Sequence, residues 1–244
     1  MNKQLFNQLK EMNLKSDDTI LIHSSLKSIG IDGTEIIDTL KEYFKDGLIL
    51  FPTHTWAQMD ATNNKFDREK ELSCVGLLAN IFRETKGVYR SNHPTHSMAG
   101  YGNGAKEYLK GAEDDLTPCH PNGAWGRLSD VGAKILLVGT NFARNTFIHT
   151  VEEKIDVPNR FTLEPIEFEL KINNNWVKKP FYKHWHPEIT GLSEYYIKIE
   201  PEMIENGIVK KGYFGKAETL YFDALELQEY ILDKLKDNIN YFTT

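Results

Sequence analysis

Three short apolar runs limit what this chain can fold into more than anything else in it. They are TILIHSS at 19–25, LILFP at 48–52 and AKILLVG at 133–139. Each is rich in Ile, Leu or Val, and each stops at small polar residues or at a proline. Runs of this length and content are expected to be strands buried on both faces. Stretches with helical spacing lie between and around them. Residues 2–13 carry Leu5, Phe6, Leu9 and Met12 on one stripe, and a helix opened by Thr34 carries Ile37, Leu40 and Phe44. Further helices are expected at 73–84, capped by Ser73, and at 104–110. Strands alternating with helices place helices on both faces of a sheet, so the chain is expected to be an α/β protein.

The pattern changes after about residue 157. IEFELKI (166–172) alternates apolar with polar residues, as a half-exposed antiparallel strand does. NNNW (173–176) is a turn, and 176–181 is expected to return as its hairpin partner. A helix near 194–206, strands near 208–214 and 218–222, and a helix capped by Asp223 complete the chain. Shorter strands are expected at 87–91 and 97–102. The hairpin-like segment argues for a mixed sheet. No repeat or linker interrupts the chain, so residues 1–244 are expected to form a single domain.

Composition excludes several classes. The formal net charge is -6, which gives no global attraction to nucleic acid. No apolar run approaches the roughly 20 residues that span a bilayer, and the first residues lack the basic-then-apolar pattern of a leader. The two cysteines, Cys74 and Cys119, form no framework and fit a reducing, cytoplasmic setting.

Four polar clusters sit where strands should end: HSSLKSIG (23–30), PTHTW (52–56), RSNHPTHS (90–97) and RNTFIHTVEE (144–153). Ligands of open α/β sheets bind beyond the carboxyl ends of the strands. HSSL reads either as a strand end with a helix cap or as an anion cradle of hydroxyls and N–H groups, with Lys27 balancing charge. Neither of the two glycine-rich nucleotide loops is present. His93 with His96, and His184 with His186, lack a clear third ligand, so no metal site is expected. Cys119 and His120 are adjacent in sequence, a poor arrangement for a thiol nucleophile and its base. In the last cluster Asn145 and Thr146 are good N-caps, which puts His149 within a turn of a helix start. Glu152, at i+3, lies on the same helical face and can orient the ring. The alternative is an ordinary surface His–Glu pair.

Taken in order, HSSL, PTHTW with Asp60 after it, RSNHPTHSMAGYG, ILLVG and RNTFIHTVE resemble the aminoglycoside 3-N-acetyltransferase family. The resemblance covers most of 19–156 and continues more weakly to 207–227. It implies a three-layer α/β/α fold with a mixed central sheet, and transfer of an acyl group from acetyl-CoA or another acyl-CoA to an amine of an amino sugar. It places Ser24, Ser25 and Leu26, with Arg90, Ser91 and Ser97, at the coenzyme A site, where Lys27 is expected to balance the charge. Thr55 is placed near the acyl carbonyl, with His149 as base and Glu152 as its orienting acid. His54, Trp56, Asp60 and Glu153 are the expected acceptor contacts, Glu153 otherwise being a bystander. The partners implied are two small molecules, with no nucleic acid, membrane or metal, and a homodimer is among the oligomeric options.

The stretch 111–128 and the region after 157 depart from the resistance enzymes of that family. Lys178, Lys179, His184, Trp185, His186, Lys210 and Lys211 read either as solvated charge or as a basic, aromatic pocket. The pocket reading favours a nucleotide-linked amino sugar for surface polysaccharide synthesis as acceptor. The alternatives are an aminoglycoside as acceptor, hence antibiotic resistance, and a non-catalytic binder of coenzyme A or sugar. A metal-dependent hydrolase is a further reading of the paired histidines.

Overall fold

The computed structural model describes residues 2–243. In chain order the elements are α1 (Lys3–Glu11), β1 (Thr19–Ser24), α2 (Leu26–Ile29), α3 (Gly33–Tyr43), β2 (Leu48–Pro52), β3 (Lys65–Phe66), α4 (Leu77–Glu84), β4 (Tyr89–Arg90), β5 (Met98–Gly102) and α5 (Ala105–Leu109). They continue with β6 (Lys134–Val138), α6 (Phe147–Lys154), β7 (Ile166–Ile172), β8 (Asn175–Phe181), a 3-10 segment Leu192–Ile199, α7 (Glu200–Glu205), β9 (Lys210–Phe214), β10 (Ala217–Asp223) and α8 (Ala224–Asp237).

The three apolar runs form the centre of a seven-stranded sheet of order β4-β5-β2-β1-β6-β10-β9. β1 pairs parallel with β2 and with β6, and the outer pairs are all antiparallel. Alternate residues of each central strand feed opposite cores, as the two-residue repeat of a strand requires. Leu21, Leu50, Ile135 and Leu137 pack with α6 and α8, through Ile148, Val151, Leu227 and Ile231. Ile20, Ile22, Ile49, Phe51 and Leu136 pack with α1, α3 and α4, through Leu5, Leu9, Ile36, Leu40 and Phe82. This is the expected three-layer α/β/α arrangement with a mixed sheet.

The mixed character has a different source from the expected one. It comes from β5 and β10, which run against the central strands, whereas the β7–β8 hairpin leaves the main sheet and joins β3 in a separate three-stranded sheet. The hairpin has only one apolar face to bury. Phe168, Leu170 and Phe181 cover Met59 and Phe66 in a small core of their own.

Several boundaries also differ from the sequence reading. Asp32, not Thr34, caps α3, because its carboxylate accepts from the N–H groups of Thr34 and Glu35. α4 starts at Leu77 after Gly76, whose φ of 116° suits glycine, and the Ser73 hydroxyl accepts from Val75 in the preceding bend. The expected 194–206 helix is a 3-10 segment followed by α7. No helix among the described residues is long and apolar enough to cross a membrane.

The small core makes a specific prediction. Phe181→Ala removes one of its five buried side chains and is expected to cost about 3–5 kcal/mol of unfolding free energy, read from urea denaturation. Amides of β7 and β8 should lose hydrogen-exchange protection before those of β1 and β6.

Candidate active site

The parallel pairing of β1, β2 and β6 brings their carboxyl ends to one edge of the sheet. HSSL begins with the last two residues of β1 and runs into α2, THTW follows β2, and the segment leading to His149 follows β6. The fourth cluster arrives by the opposite route. Residues 91–97 form the turn between antiparallel β4 and β5, and Pro52 faces Met98, so this turn lies at the same edge. Thr53 and Thr55 donate their N–H groups to the carbonyls of Ser97 and Thr95, which fastens two clusters together.

His149 is the third residue of α6 and is buried at this edge. Its ring stacks on His184 at 3.9 Å and 23°. From there a row of rings runs through His96 (4.8 Å) and His54 (4.5 Å) to Trp125 (5.3 Å). Burial holds His54, His96 and His184 well below the usual imidazole range, and lowers His23 and His93 to about 3. At neutral pH these five rings are therefore uncharged. His23 Nε2, His54 Nδ1, His93 Nε2 and His184 Nδ1, with both ends of the Asn145 amide, are buried without a hydrogen-bond partner among the described residues. Asn145 therefore caps nothing, and Thr146 holds the N-cap position without a capping bond, its hydroxyl lying 3.1 Å from His54 Nε2.

The two acids of the motif diverge. Glu152 Oε2 lies 3.5 Å from His149 Nδ1. The Tyr196 hydroxyl sits against both, 2.6 Å from Nδ1 and in a short hydrogen bond to the carboxylate. The other oxygen accepts from Arg160 Nε at 2.8 Å. Burial pushes Glu152 upward, but the hydrogen bond and charge of His149, the Arg160 charge and the Tyr196 hydroxyl outweigh it and leave the carboxyl below its usual value. Glu153 is neither a bystander nor exposed. It accepts from the Thr117 hydroxyl, the Cys119 N–H and His184 Nε2, at 2.6, 2.9 and 2.9 Å, and so ties the 117–119 loop and His184 to α6. Burial dominates there and raises Glu153 to about 7.

Ser24, Ser25 and Leu26 are partly exposed and Lys27 is exposed, at the end of β1 beside the end of β6. Ser25 caps the short α2, accepting from Ser28. Arg90, Ser91 and Ser97 stand behind this surface. The Arg90 guanidinium donates to the carbonyls of Arg68, Glu71 and Thr53 and to Ser97 Oγ, while Ser91 Oγ accepts from Met98 N–H. Buried to 5%, 2% and 0% exposure, these three brace the end of β2 rather than offer donors outward. The Thr55 hydroxyl gives its single proton to the Pro94 carbonyl, so in this arrangement it has none for an acyl oxygen. Trp56 is half-exposed, and Asp60 caps the turn at Thr62 and Asn63.

The expected basic pocket does not assemble. Lys178 pairs with Glu167 and Lys179 with Asp114. Lys210 and Lys211 lie on β9, the strand at the far edge of the sheet. His186 accepts from two N–H groups of its own turn, and Trp185 stands exposed. His93 likewise accepts from Thr95 and His96, so the HxxH pair is a turn device. Among the described residues, one group could offer a metal three donors within 4.8 Å, namely Cys119, Glu153 and His184. The Glu153 oxygens of that group are already engaged by three donors. Depressions bordered by Lys45 and Tyr101, and by Asn206 and Tyr230, hold none of this chemistry.

Tyr196 and Arg160 were missed from sequence because they reach Glu152 from 44 and 8 residues away, with no spacing rule to link them. A buried carboxylate on a helix needs a cation and donors, but nothing in one sequence says which residues supply them.

Glu153 predicts a pH effect on stability. Its carboxyl titrates at about 7 in the fold against 4.5 in an ordinary setting. Through that window the folded protein holds a proton that the unfolded chain has lost, so this group's contribution falls as pH rises. Glu152 has the opposite sign, contributing above 4.5 and losing its contribution as pH falls through its depressed value. Urea midpoints at about pH 5 and pH 8 should therefore drop less in Glu153→Gln than in the wild type.

A sequence model of the family described as aminoglycoside 3-N-acetyltransferase matches residues 21–236. The SPbeta prophage-derived aminoglycoside N(3')-acetyltransferase-like protein YokD of Bacillus subtilis (strain 168) is 27% identical over 176 residues, 60% of this chain and 62% of that protein. The match thus spans less than two thirds of that relative. Among solved structures, AAC(3)-IVa as apoenzyme superposes with a TM-score of 0.82 at 19% identity, covering 99% of this chain and 90% of that one. AAC-IIIb in a binary complex with CoASH gives 0.82 at 20% identity, covering 96% and 95%. YokD of Bacillus subtilis gives 0.79 at 21%, covering 97% and 98%. These likenesses establish the fold. The family match over residues 21–236, together with the ordered clusters at one sheet edge, places this chain in the aminoglycoside 3-N-acetyltransferase family.

Proposed function

We propose that this protein is an N-acyltransferase that moves an acyl group from acyl-CoA to an amino group of a polyamine sugar of the aminoglycoside type. The observation that carries the reading is the buried His149, linked to an ionised Glu152 at the same sheet edge as the Ser24–Lys27 surface. A sugar amine is an ammonium at neutral pH and must lose a proton before it can attack a thioester. In this reading His149 takes that proton. The amine nitrogen then bonds to the acyl carbon, the C–S bond breaks, and the electron pair leaves with the thiol sulfur. No enzyme nucleophile is needed, and burial pushes the Cys119 thiol well above its usual value, which suits no such role. Direct transfer of this kind also has no step that calls for a metal.

Ser24, Ser25, Leu26 and Lys27 are the proposed coenzyme A contacts. Partly exposed hydroxyls and an exposed lysine suit an anionic co-substrate. Arg90, Ser91 and Ser97 support that edge from behind. His54 and Trp56, which follow β2 at the same edge, are the proposed acceptor side, with Glu153 fixing His184 and the 117–119 loop beside them.

The aminoglycoside reading is preferred over a nucleotide-linked sugar for one structural reason: the lysines that would receive a nucleotide's phosphates are paired elsewhere or lie on the far strand. The named neighbours agree in kind. A mutant of AAC(3)-IVa was solved in complex with a gentamicin, and AAC-IIIb with CoASH.

Thiol release from acetyl-CoA should appear with an aminoglycoside and not with nucleotide-linked 3- or 4-amino sugars. Release with the nucleotide sugars alone would reverse the acceptor assignment. Calorimetric binding of coenzyme A without thiol release for any amine would make the protein a binder instead. His149→Ala is expected to lower kcat by about 10²- to 10⁴-fold, and near wild-type turnover would remove His149 from the reaction.

A further inference from the structure

We propose that Tyr196 is a positioning residue for the base, and that its hydroxyl relays the Glu152 carboxylate to Nδ1 of His149, with Nε2 left free to react. The inference rests on His149 being the base. A carboxylate can only accept hydrogen bonds, and the Glu152 carboxylate is ion-paired with the Arg160 guanidinium at 2.8 Å. The single proton of the Tyr196 hydroxyl therefore goes to Glu152. The phenol oxygen then faces His149 Nδ1 at 2.6 Å with lone pairs only. That contact is attractive only if Nδ1 carries a proton. The hydrogen-bond network thus assigns a chain, His149 Nδ1–H to Tyr196 O–H to Glu152, and leaves Nε2 as the unprotonated nitrogen.

Tyr196 is well placed to hold this geometry. It is fully buried, and its ring meets His149 and Phe242 edge-on, each at 4.9 Å. The charged and titratable groups around the His149 ring come from every neighbouring segment. Glu152 and Glu153 lie on its own helix, and Cys119 is in the loop tied to Glu153. Arg160 and His184 follow α6, Tyr196 belongs to the 192–199 segment, and His54 and His96 complete the row of rings.

The relay has a measurable consequence. With the phenol in place, the carboxylate acts on the ring through a neutral group. Tyr196→Phe removes that group, leaves Oε2 facing Nδ1 across 3.5 Å, and takes one hydrogen bond from the carboxylate. A more direct ion pair stabilises the imidazolium, so the acid limb of kcat/KM should move to higher pH by about one unit. At pH well above that limb, activity should stay within about tenfold of the wild type, since the direct pair still holds the ring. A purely structural role would instead lower kcat/KM by the same factor at every pH. An unmoved acid limb overturns the proposal.

A second measurement does not depend on turnover. Nitrogen-15 spectra of histidine-labelled wild-type protein, with His149 assigned by its loss in His149→Ala, should show the Nδ1–H tautomer. An Nε2–H tautomer overturns the proposal whether or not acyl transfer is found. Absence of acyl transfer with an intact Nδ1–H tautomer would count against the enzyme reading and leave the relay supported.

Discussion

A carboxylate with 1% side-chain exposure survives in a folded protein only if the fold brings it a cation and enough donors. Glu152 is such a group, and much of the second half of the chain is arranged around it. Arg160 comes from the segment after α6, Tyr196 from the 3-10 segment near residue 196, and His149 from one helical turn earlier. These three partners immobilise the loop after α6 and the approach to α7. Nearby, Glu153 uses its buried oxygens to hold His184 and the 117–119 loop. Two adjacent acids on one helix thus do opposite electrostatic work. One is kept charged by partners, and the other is pushed toward neutrality by burial.

The site also depends on strand direction. Three parallel strands deliver three polar clusters to one edge, and an antiparallel turn supplies the fourth. This explains why residues separated by more than 100 positions share one surface. It also explains why Arg90 and Ser97 are buried. They lock the β4–β5 turn to the end of β2, which keeps His54 and Thr55 in register with the turn beside them.

Much of this was legible from sequence where the relevant physics is local. Apolar runs of strand length identified β1, β2 and β6, and the i+3 spacing together with the family resemblance favoured Glu152 over Glu153. Boundaries governed by one side chain were harder. Asp32 took the cap expected of Thr34 because its carboxylate, two residues earlier, accepts from the N–H groups of Thr34 and Glu35 and starts the helix there. The β7–β8 hairpin was recognisable by alternation, but alternation says only that one face is buried. It does not say against what, and here the partner is β3 rather than the main sheet.

By itself the sequence determined the strand and helix repertoire, the α/β class, the ordered polar blocks that mark the family, and the His149–Glu152 pairing. Each follows from patterns within a few residues or from the order of blocks along the chain. Tertiary structure alone decided that Tyr196 stands against His149 and Glu152, that Arg160 pairs with the buried carboxylate, that Thr55 spends its proton on Pro94, and that the lysines of the last third do not meet. Those outcomes depend on which distant segments pack together. A hydrogen bond's partner is set by three-dimensional proximity and by each donor's single proton, neither of which linear spacing encodes.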